Sequence, residues 1–247
     1  VARKHLAEVV ENDDSFPSIK DILLFEGKNG PDGIKKKSPS HNEPWHFLNP
    51  LAEDNSEFLG LLKNHYEGLV KNLKSGNREA SAFEASWLSH TIVDGLTPAH
   101  HYPYEEKIAE MMVGGNKSRT TIKSKLLFPG ETKLKTLHNT YKAYGPGGLM
   151  TSHVAFEQGI AIIIKPLGLP DARPTQKDID EIKEYGYEVF FMNRAREVAV
   201  LELFDLYMKS GWTSKLSNKI RHGLLPTVVK TVTMLWYSAM DDAGLID

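Results

Sequence analysis

Helical spacing of apolar residues runs through almost the whole chain, and it limits the possible folds more than any other feature. In the segment SEFLGLLKNHYEGLVKNLKSG, Ser56 is a good residue to begin a helix and Gly76 a good residue to end it. Strict alternation of apolar and polar residues, which would indicate a half-buried strand, is scarce. The sequence therefore predicts an all-α protein.

Helices are predicted on both sides of this segment. They comprise a short first helix around Leu6 and helices at 79–95, 104–113, 131–143, 150–165, 176–209 and 212–243. No repeat and no convincing linker divides the chain, so a single multi-helix domain over residues 1–247 is favoured. Residues 101–149 contain several Gly and Pro breaks and are predicted to be an insertion into that domain.

The composition excludes several classes of protein. The chain has no Cys, so any metal ion must be bound by His and carboxylate side chains. Its net charge of -2 argues against a bulk electrostatic binder of nucleic acid. The first residues lack the pattern of a signal peptide, and the longest apolar stretches are interrupted by charges before reaching about 18 residues. No transmembrane segment is predicted.

The stretch LSHTIVDGLTPAHHYPY contains the first candidate metal ligands. His90 and Asp94 are four positions apart, so a helix places them on one face within reach of the same ion. Imidazole and carboxylate without sulfur suit zinc. Gly95 and Pro98 predict a sharp turn that directs His100 towards the same pocket. An isolated pair of this kind is more often an ordinary surface pair.

A second pair makes a metal site the better interpretation. His153 and Glu157 are also four apart, in the strongly apolar segment TSHVAFEQGIAIII, and coordination would remove the cost of burying the carboxylate. A Pro-rich loop adds Asp32 and His46. Together these residues predict a site with several ligands, and a set of purely structural polar pairs is the alternative.

The motif His90-x-x-x-Asp94-x-x-x-Pro98-x-His100 resembles the signature of the bacterial zinc-dependent phospholipases C. That family shares its fold with the fungal zinc nucleases that cut single-stranded nucleic acid. The resemblance extends over residues 5–157 and implies a multi-helix bundle whose long loops carry metal ligands.

Other positions match the family one by one. Asp32 and His46, fourteen residues apart, resemble its loop ligands, and His153 and Glu157 resemble its later pair. The nuclease branch usually has Asp at the position of Glu157, which favours the phospholipase branch. His5, in the first predicted helix, resembles a His in the first helix of the family.

The resemblance implies a cluster of up to three zinc ions. The first site would contain Asp32, His46, His90 and Asp94; the second His100, His153 and Glu157; and the third His5 with Asp94 as a bridge. The family completes its third site with an N-terminal Trp, whereas this sequence has Val1. His100 and His153 are 53 positions apart, farther than in the family, which indicates that residues 101–149 are an insertion. His101 and His138 are reserve ligands for it.

The implied function is a zinc-dependent phosphodiester hydrolase, secreted or at the cell surface, that cleaves phospholipid head groups with a metal-activated water. Asp32 would be the general base, with plain ligation as the alternative. Residues 116–142 contain seven basic residues and one acidic residue, which suits peripheral membrane contact, nucleic-acid phosphates or simply solvent. The alternatives are a nuclease or 3′-nucleotidase on the same fold, and a non-catalytic zinc- or lipid-binding protein.

Overall fold

The computed structural model describes residues 1–11, 14–33, 47–111, 127–164 and 169–246. These residues form helices and no strand, so the predicted all-α fold is confirmed for the part described. The helices are α1 (Ala2–Val9), α2 (Ile19–Leu23), α3 (Ser56–Lys74), α4 (Arg78–Leu96), α5 (Tyr104–Met111), α6 (Lys133–Tyr144), α7 (Leu149–Ile164), α8 (Gln176–Ala199), α9 (Leu203–Ser210), α10 (Ser214–Lys219) and α11 (Leu225–Asp242).

The antiparallel pair α3 and α4 and the C-terminal helix α11 enclose the main core. Leu62 of α3, Leu88 of α4 and Leu235 of α11 are completely buried. Each such side chain contributes roughly 1.5–3 kcal/mol when it leaves water. The indole nitrogen of Trp236 donates a hydrogen bond of 3.2 Å to the carbonyl of Ala85, which fixes α11 against α4. This packing makes α4 a rigid support for the candidate ligands at its C-terminal end.

The two long helices predicted near the C-terminus are interrupted. The prediction of one helix over 176–209 is wrong, because α8 ends at Ala199 and Glu202 adopts a left-handed conformation with φ 49°. Helix α8 also bends at Gly186, whose φ of 80° suits a residue without a Cβ. A wide π-helical turn, Ile220–Leu224, likewise separates α10 from α11 within the helix predicted over 212–243.

The region predicted to be an insertion has a small hydrophobic cluster of its own. It consists of Tyr104, Ile108, Phe128, Ala143 and Leu149, and Phe47 packs against it. This cluster joins α5, α6 and the start of α7, so it links the region to the helix that carries His153. No helix in the described ranges is long and apolar enough to cross a membrane.

Candidate metal centre

His90 and Asp94 lie on one face of α4, as their spacing predicts. His90 Nε2 is 3.4 Å from Asp94 Oδ2 and 3.9 Å from Asp32 Oδ1. The side chains of His90 and Asp94 are 17% and 14% exposed, whereas that of Asp32 is 69% exposed. We call these three residues the His90 group. The fourth predicted ligand, His46, lies outside the described residues.

Gly95 does not make the turn that the sequence predicts. Helix α4 continues through Gly95 to Leu96, and the chain turns at Thr97, which has extended backbone angles. A Cβ on Gly95 would lie 2.5 Å from Phe58 Cζ and 2.6 Å from Phe191 Cζ. The glycine is therefore needed for close packing of two rings against α4. Pro98 begins a short 3-10 turn, Pro98–His101, that carries His100.

His100 meets the second predicted pair despite the 53 intervening positions. His100 Nε2 and His153 Nε2 are each 3.0 Å from the same oxygen, Oε1 of Glu157. Possible ligand atoms of the three residues all lie within 4.8 Å of one another. Both imidazoles are buried, and Glu157 is half-buried. We call these residues the His100 group. Among the described residues, it is the group of His and acidic side chains whose possible ligand atoms lie close enough together to hold a metal ion.

The donor set of the His100 group fits zinc. Ligands about 2.0–2.1 Å from zinc in a tetrahedral arrangement are about 3.3 Å apart, close to the 3.0 Å from each imidazole nitrogen to the carboxylate oxygen. Burial alone would raise the pKa of Glu157, but hydrogen bonds with His100 and His153 lower it to about 2. The carboxylate is therefore ionised at neutral pH, as a metal ligand must be.

Tyr104 supports this group from α5, a role that the sequence did not predict. Its hydroxyl oxygen is 2.8 Å from His153 Nδ1, the nitrogen opposite the one facing Glu157. Burial raises the pKa of the Tyr104 hydroxyl, so the phenol keeps its proton. Phe47 packs against both imidazole rings, with centroids 5.2 Å from His100 and 6.1 Å from His153. Outer contacts of this kind fix the orientation of metal-binding histidines.

The reserve ligands do not join the His100 group. His101 Nε2 is 2.9 Å from the carbonyl oxygen of Gly95, to which it donates a hydrogen bond. Burial lowers the pKa of His101 to about 4, so the ring is neutral at pH 7. His138 is exposed on α6. His101 thus ties the 3-10 turn back to the last turn of α4 and helps to hold its neighbour His100.

His5, predicted to belong to a third site, is buried in α1. Its Nε2 is 3.1 Å from the carbonyl oxygen of Leu169 and its Nδ1 is 3.1 Å from Oε2 of Glu8. Both ring nitrogens therefore face hydrogen-bond acceptors, and His5 links α1 to the segment before α8. A metal ion bound here would have to replace one of these contacts.

A cleft of about 480 Å³ opens beside His100. Its walls include the aromatic residues Phe47, Phe58, Tyr102 and Tyr104, and its exposed acidic residues are Asp54, Glu57 and Glu106. His100 is the member of the His100 group that lines this cleft, whose walls are both aromatic and acidic.

No match was found between this chain and any model of a known protein family, any curated protein or any solved structure.

Proposed function

We propose that the protein is a zinc-dependent phosphodiester hydrolase with phospholipase C-type activity. The observation that carries the proposal is the convergence of His100 and His153 on Glu157. Two imidazole nitrogens and one carboxylate form the type of ligand set found in catalytic zinc sites, where three protein ligands leave a position for water. The resemblance of the motif from His90 to His100 to the zinc phospholipases C supports the same class.

The chemistry divides between the ion and the protein. Bound zinc lowers the pKa of its water towards about 7 and offsets the charge that develops on the phosphate oxygens. Glu157 and the two imidazoles would hold the ion, while Tyr104 keeps His153 in its orientation. Asp32 is exposed and lies 3.9 Å from His90, so as a general base it would accept the proton of a water at an ion held by the His90 group.

Further ions belong to the proposal. The His90 group with His46 would bind a second zinc, and His5 with Asp94 a third. Action outside the cell or at its surface is the location that the family resemblance suggests.

The acidic edge of the cleft favours a phospholipid over a nucleic acid. Asp54, Glu57 and Glu106 would repel a polyanionic strand, whose binding usually depends on Lys and Arg. The same carboxylates, beside aromatic rings, suit a lipid with a cationic head group such as choline. We therefore rank phosphatidylcholine-like substrates above single-stranded DNA and 3′-nucleotides.

The test is hydrolysis of a water-soluble, short-chain phosphatidylcholine by zinc-loaded protein, measured as released phosphocholine. We expect activity that a chelator removes and zinc restores, and that His100→Ala abolishes. His138→Ala, which changes an exposed histidine of α6, is the matched control and should retain activity.

Single-stranded DNA and 3′-nucleotides are assayed in parallel. Cleavage of these alone would identify a nuclease instead. Metal-loaded protein that is inert on every phosphoester would overturn the enzymatic proposal and leave a non-catalytic metal-binding protein. Three zinc ions per chain by elemental analysis would support the full set of sites, and a single ion would restrict it to one group.

A further inference from the structure

Helix α6 carries large apolar side chains on the surface. Leu134, Leu137 and Tyr141 are 80%, 68% and 64% exposed. Their spacing of three and four positions places them on one face of the helix. We call these three residues the apolar stripe. Single exposed apolar residues are common, but three large ones in a row on one helix are a sign of a binding surface.

The stripe faces away from the body of the protein. Asn139 and Ala143 are buried, and Asn139 Nδ2 donates a hydrogen bond to the carbonyl of Met111 at the end of α5. Ala143 is nine positions after Leu134, which at about 100° per residue puts it half a turn away around the helix. One face of α6 therefore anchors the helix, and the opposite face presents the stripe to solvent.

Lysines flank the stripe on both sides, and α6 contains no acidic residue. Lys135 and Lys142 lie on one side and Lys133 on the other, and all three are exposed. Long lysine side chains beside an apolar face can extend to anionic head groups while the apolar residues enter the lipid interface. A second copy of α6 would bring lysines against lysines, so the charge pattern argues against self-association through this face.

We propose that α6 docks on an anionic lipid surface, with the apolar stripe inserted between head groups and the three lysines contacting phosphates or carboxylates. The helix is held beside the candidate metal centre, because Ala143 of α6 and Tyr104 belong to the same hydrophobic cluster and Tyr104 contacts His153. Docking would bring the centre close to membrane phospholipids. That consequence for substrate supply rests on the proposed function, whereas the docking itself does not.

The experiment is co-sedimentation of the full chain with vesicles. Vesicles of phosphatidylcholine containing phosphatidylserine are compared with pure phosphatidylcholine, in the presence of a chelator so that no lipid is hydrolysed. We expect the native chain to bind the anionic vesicles. Binding should be at least about tenfold weaker for Leu134→Ser/Leu137→Ser, because two apolar side chains no longer enter the interface. Replacing Lys133, Lys135 and Lys142 by Gln should reduce binding to anionic vesicles about fivefold per lysine.

Two exposed leucines elsewhere provide the matched control. Leu24 and Leu51 are 64% and 69% exposed, so Leu24→Ser/Leu51→Ser removes the same apolar groups from other surfaces and should leave vesicle binding unchanged. Because all four leucines are exposed, both double variants should keep the thermal unfolding midpoint of the native chain.

Three results would overturn the proposal. They are no binding of the native chain to anionic vesicles, equal binding by the stripe variant, and a native chain that forms dimers which the stripe variant abolishes. Hydrolysis of the short-chain, water-soluble lipid is measured separately. If the native chain hydrolyses this lipid but does not bind anionic vesicles, the result counts against docking through α6 alone. If it binds the vesicles but hydrolyses no lipid, the result counts against the proposed enzyme alone.

Discussion

The His90 group and the His100 group show two ways of assembling candidate metal ligands. In the His100 group, both contacts between imidazole nitrogen and carboxylate oxygen are 3.0 Å. In the His90 group, the corresponding distances are 3.4 Å to Asp94 and 3.9 Å to Asp32. Each group combines a pair four positions apart on one helix with one distant residue: His100 is 53 positions before His153, and Asp32 is 58 positions before His90. Closeness along the chain therefore does not decide which group is more compact in space.

The difference follows from the elements that carry the ligands. His153 and Glu157 lie on α7, and His100 lies on a short turn that is tied to α4 through His101 and the Gly95 carbonyl. The His90 group depends on Asp32, whose side chain is 69% exposed. Ligands on packed elements are already positioned before an ion binds, so less ordering opposes binding. We expect the His100 group to bind zinc more tightly.

Loss of Glu157 should have the largest effect. Glu157→Gln removes the carboxylate that both imidazoles contact, and we expect zinc affinity of the His100 group to fall by at least about 100-fold, more than the loss of an outer contact. The measurement is competition with a chromophoric chelator. Gln158→Ala, which changes the exposed neighbour of Glu157, is the control and should bind normally. If Asp32→Asn weakened zinc binding more than Glu157→Gln, the ranking of the two groups would be wrong.

A methyl group at Gly95 should disturb the last turn of α4, which lies between Asp94 and the 3-10 turn that carries His100. Gly95→Ala places a Cβ 2.5 Å from Phe58 and 2.6 Å from Phe191, so the free energy of unfolding should fall by about 1–3 kcal/mol. Gly60→Ala is the matched control, because nothing lies within 4 Å of its added Cβ and alanine is about 0.5–1 kcal/mol better than glycine inside a helix. Urea unfolding measures both. A neutral Gly95→Ala would contradict the packing role of this glycine.

Removal of the Tyr104 hydroxyl should lower the zinc affinity of the His100 group and leave that of the His90 group unchanged. Tyr104→Phe deletes the hydrogen bond to His153 Nδ1, and zinc affinity of this group should fall about 10-fold, at the lower end of the usual cost of losing an outer contact. Zinc titration followed by calorimetry would separate the two groups. Tyr207→Phe is the control. The ring of Tyr207 packs on Phe156 of α7, the helix that carries His153, and removal of its hydroxyl should leave zinc affinity unchanged. An equal loss in the His90 group would argue that Tyr104 acts through general stability.

The smallest effect on metal binding is expected from a destabilising change at a residue that contacts neither group. Asp178 accepts hydrogen bonds from Thr175 and from Lys230 of α11. Burial alone would raise the pKa of Asp178, but these contacts lower it. Asp178→Asn should lower the free energy of unfolding at pH 7 by about 1–2 kcal/mol and leave zinc affinity unchanged.

The pH dependence of that change has a definite sign. A carboxyl with a lowered pKa in the folded protein stabilises it fully above the unfolded value of about 3.9, and this contribution disappears as the pH falls through the folded pKa. The difference between native protein and Asp178→Asn in urea unfolding should therefore shrink below about pH 4. A difference that grew on acidification would contradict the assignment.

Helical periodicity was enough to predict the fold class and most helix positions. The predicted helix from Ser56 to Gly76 corresponds to α3, and the apolar spacing around His153 corresponds to α7. The break at Glu202 was missed because its left-handed backbone occurs at a residue other than glycine, with no proline to mark it. The π-helical turn contains Gly223 and is followed by Pro226, but the apolar residues on both sides keep a helical spacing, so one helix was predicted across it.

The candidate site was predictable in residue type and only partly in arrangement. Spacing of four predicted that His90 pairs with Asp94 and that His153 pairs with Glu157, and both pairs are present. Spacing could not show that His100 reaches Glu157, because that contact depends on how α7 packs against the 3-10 turn. Tyr104 was visible only as a tyrosine four residues after His100, a signal too weak to predict its contact with His153.

The contact between Tyr104 and His153 bears on which nitrogen of the imidazole carries a proton. A tyrosine hydroxyl can donate a hydrogen bond or accept one. The hydroxyl can donate to Nδ1 when the imidazole carries its proton on Nε2, and it can accept from Nδ1 when the proton is there. An ion held at Nε2 would require the second tautomer, in which Nε2 has given up its proton and Nδ1 has taken one up. The two tautomers therefore differ in the position of hydrogen atoms, including the hydroxyl hydrogen, and both suit the same arrangement of oxygen and nitrogen. The buried ring can therefore change its tautomer without any heavy atom moving, so the centre can be filled and emptied with its surroundings intact.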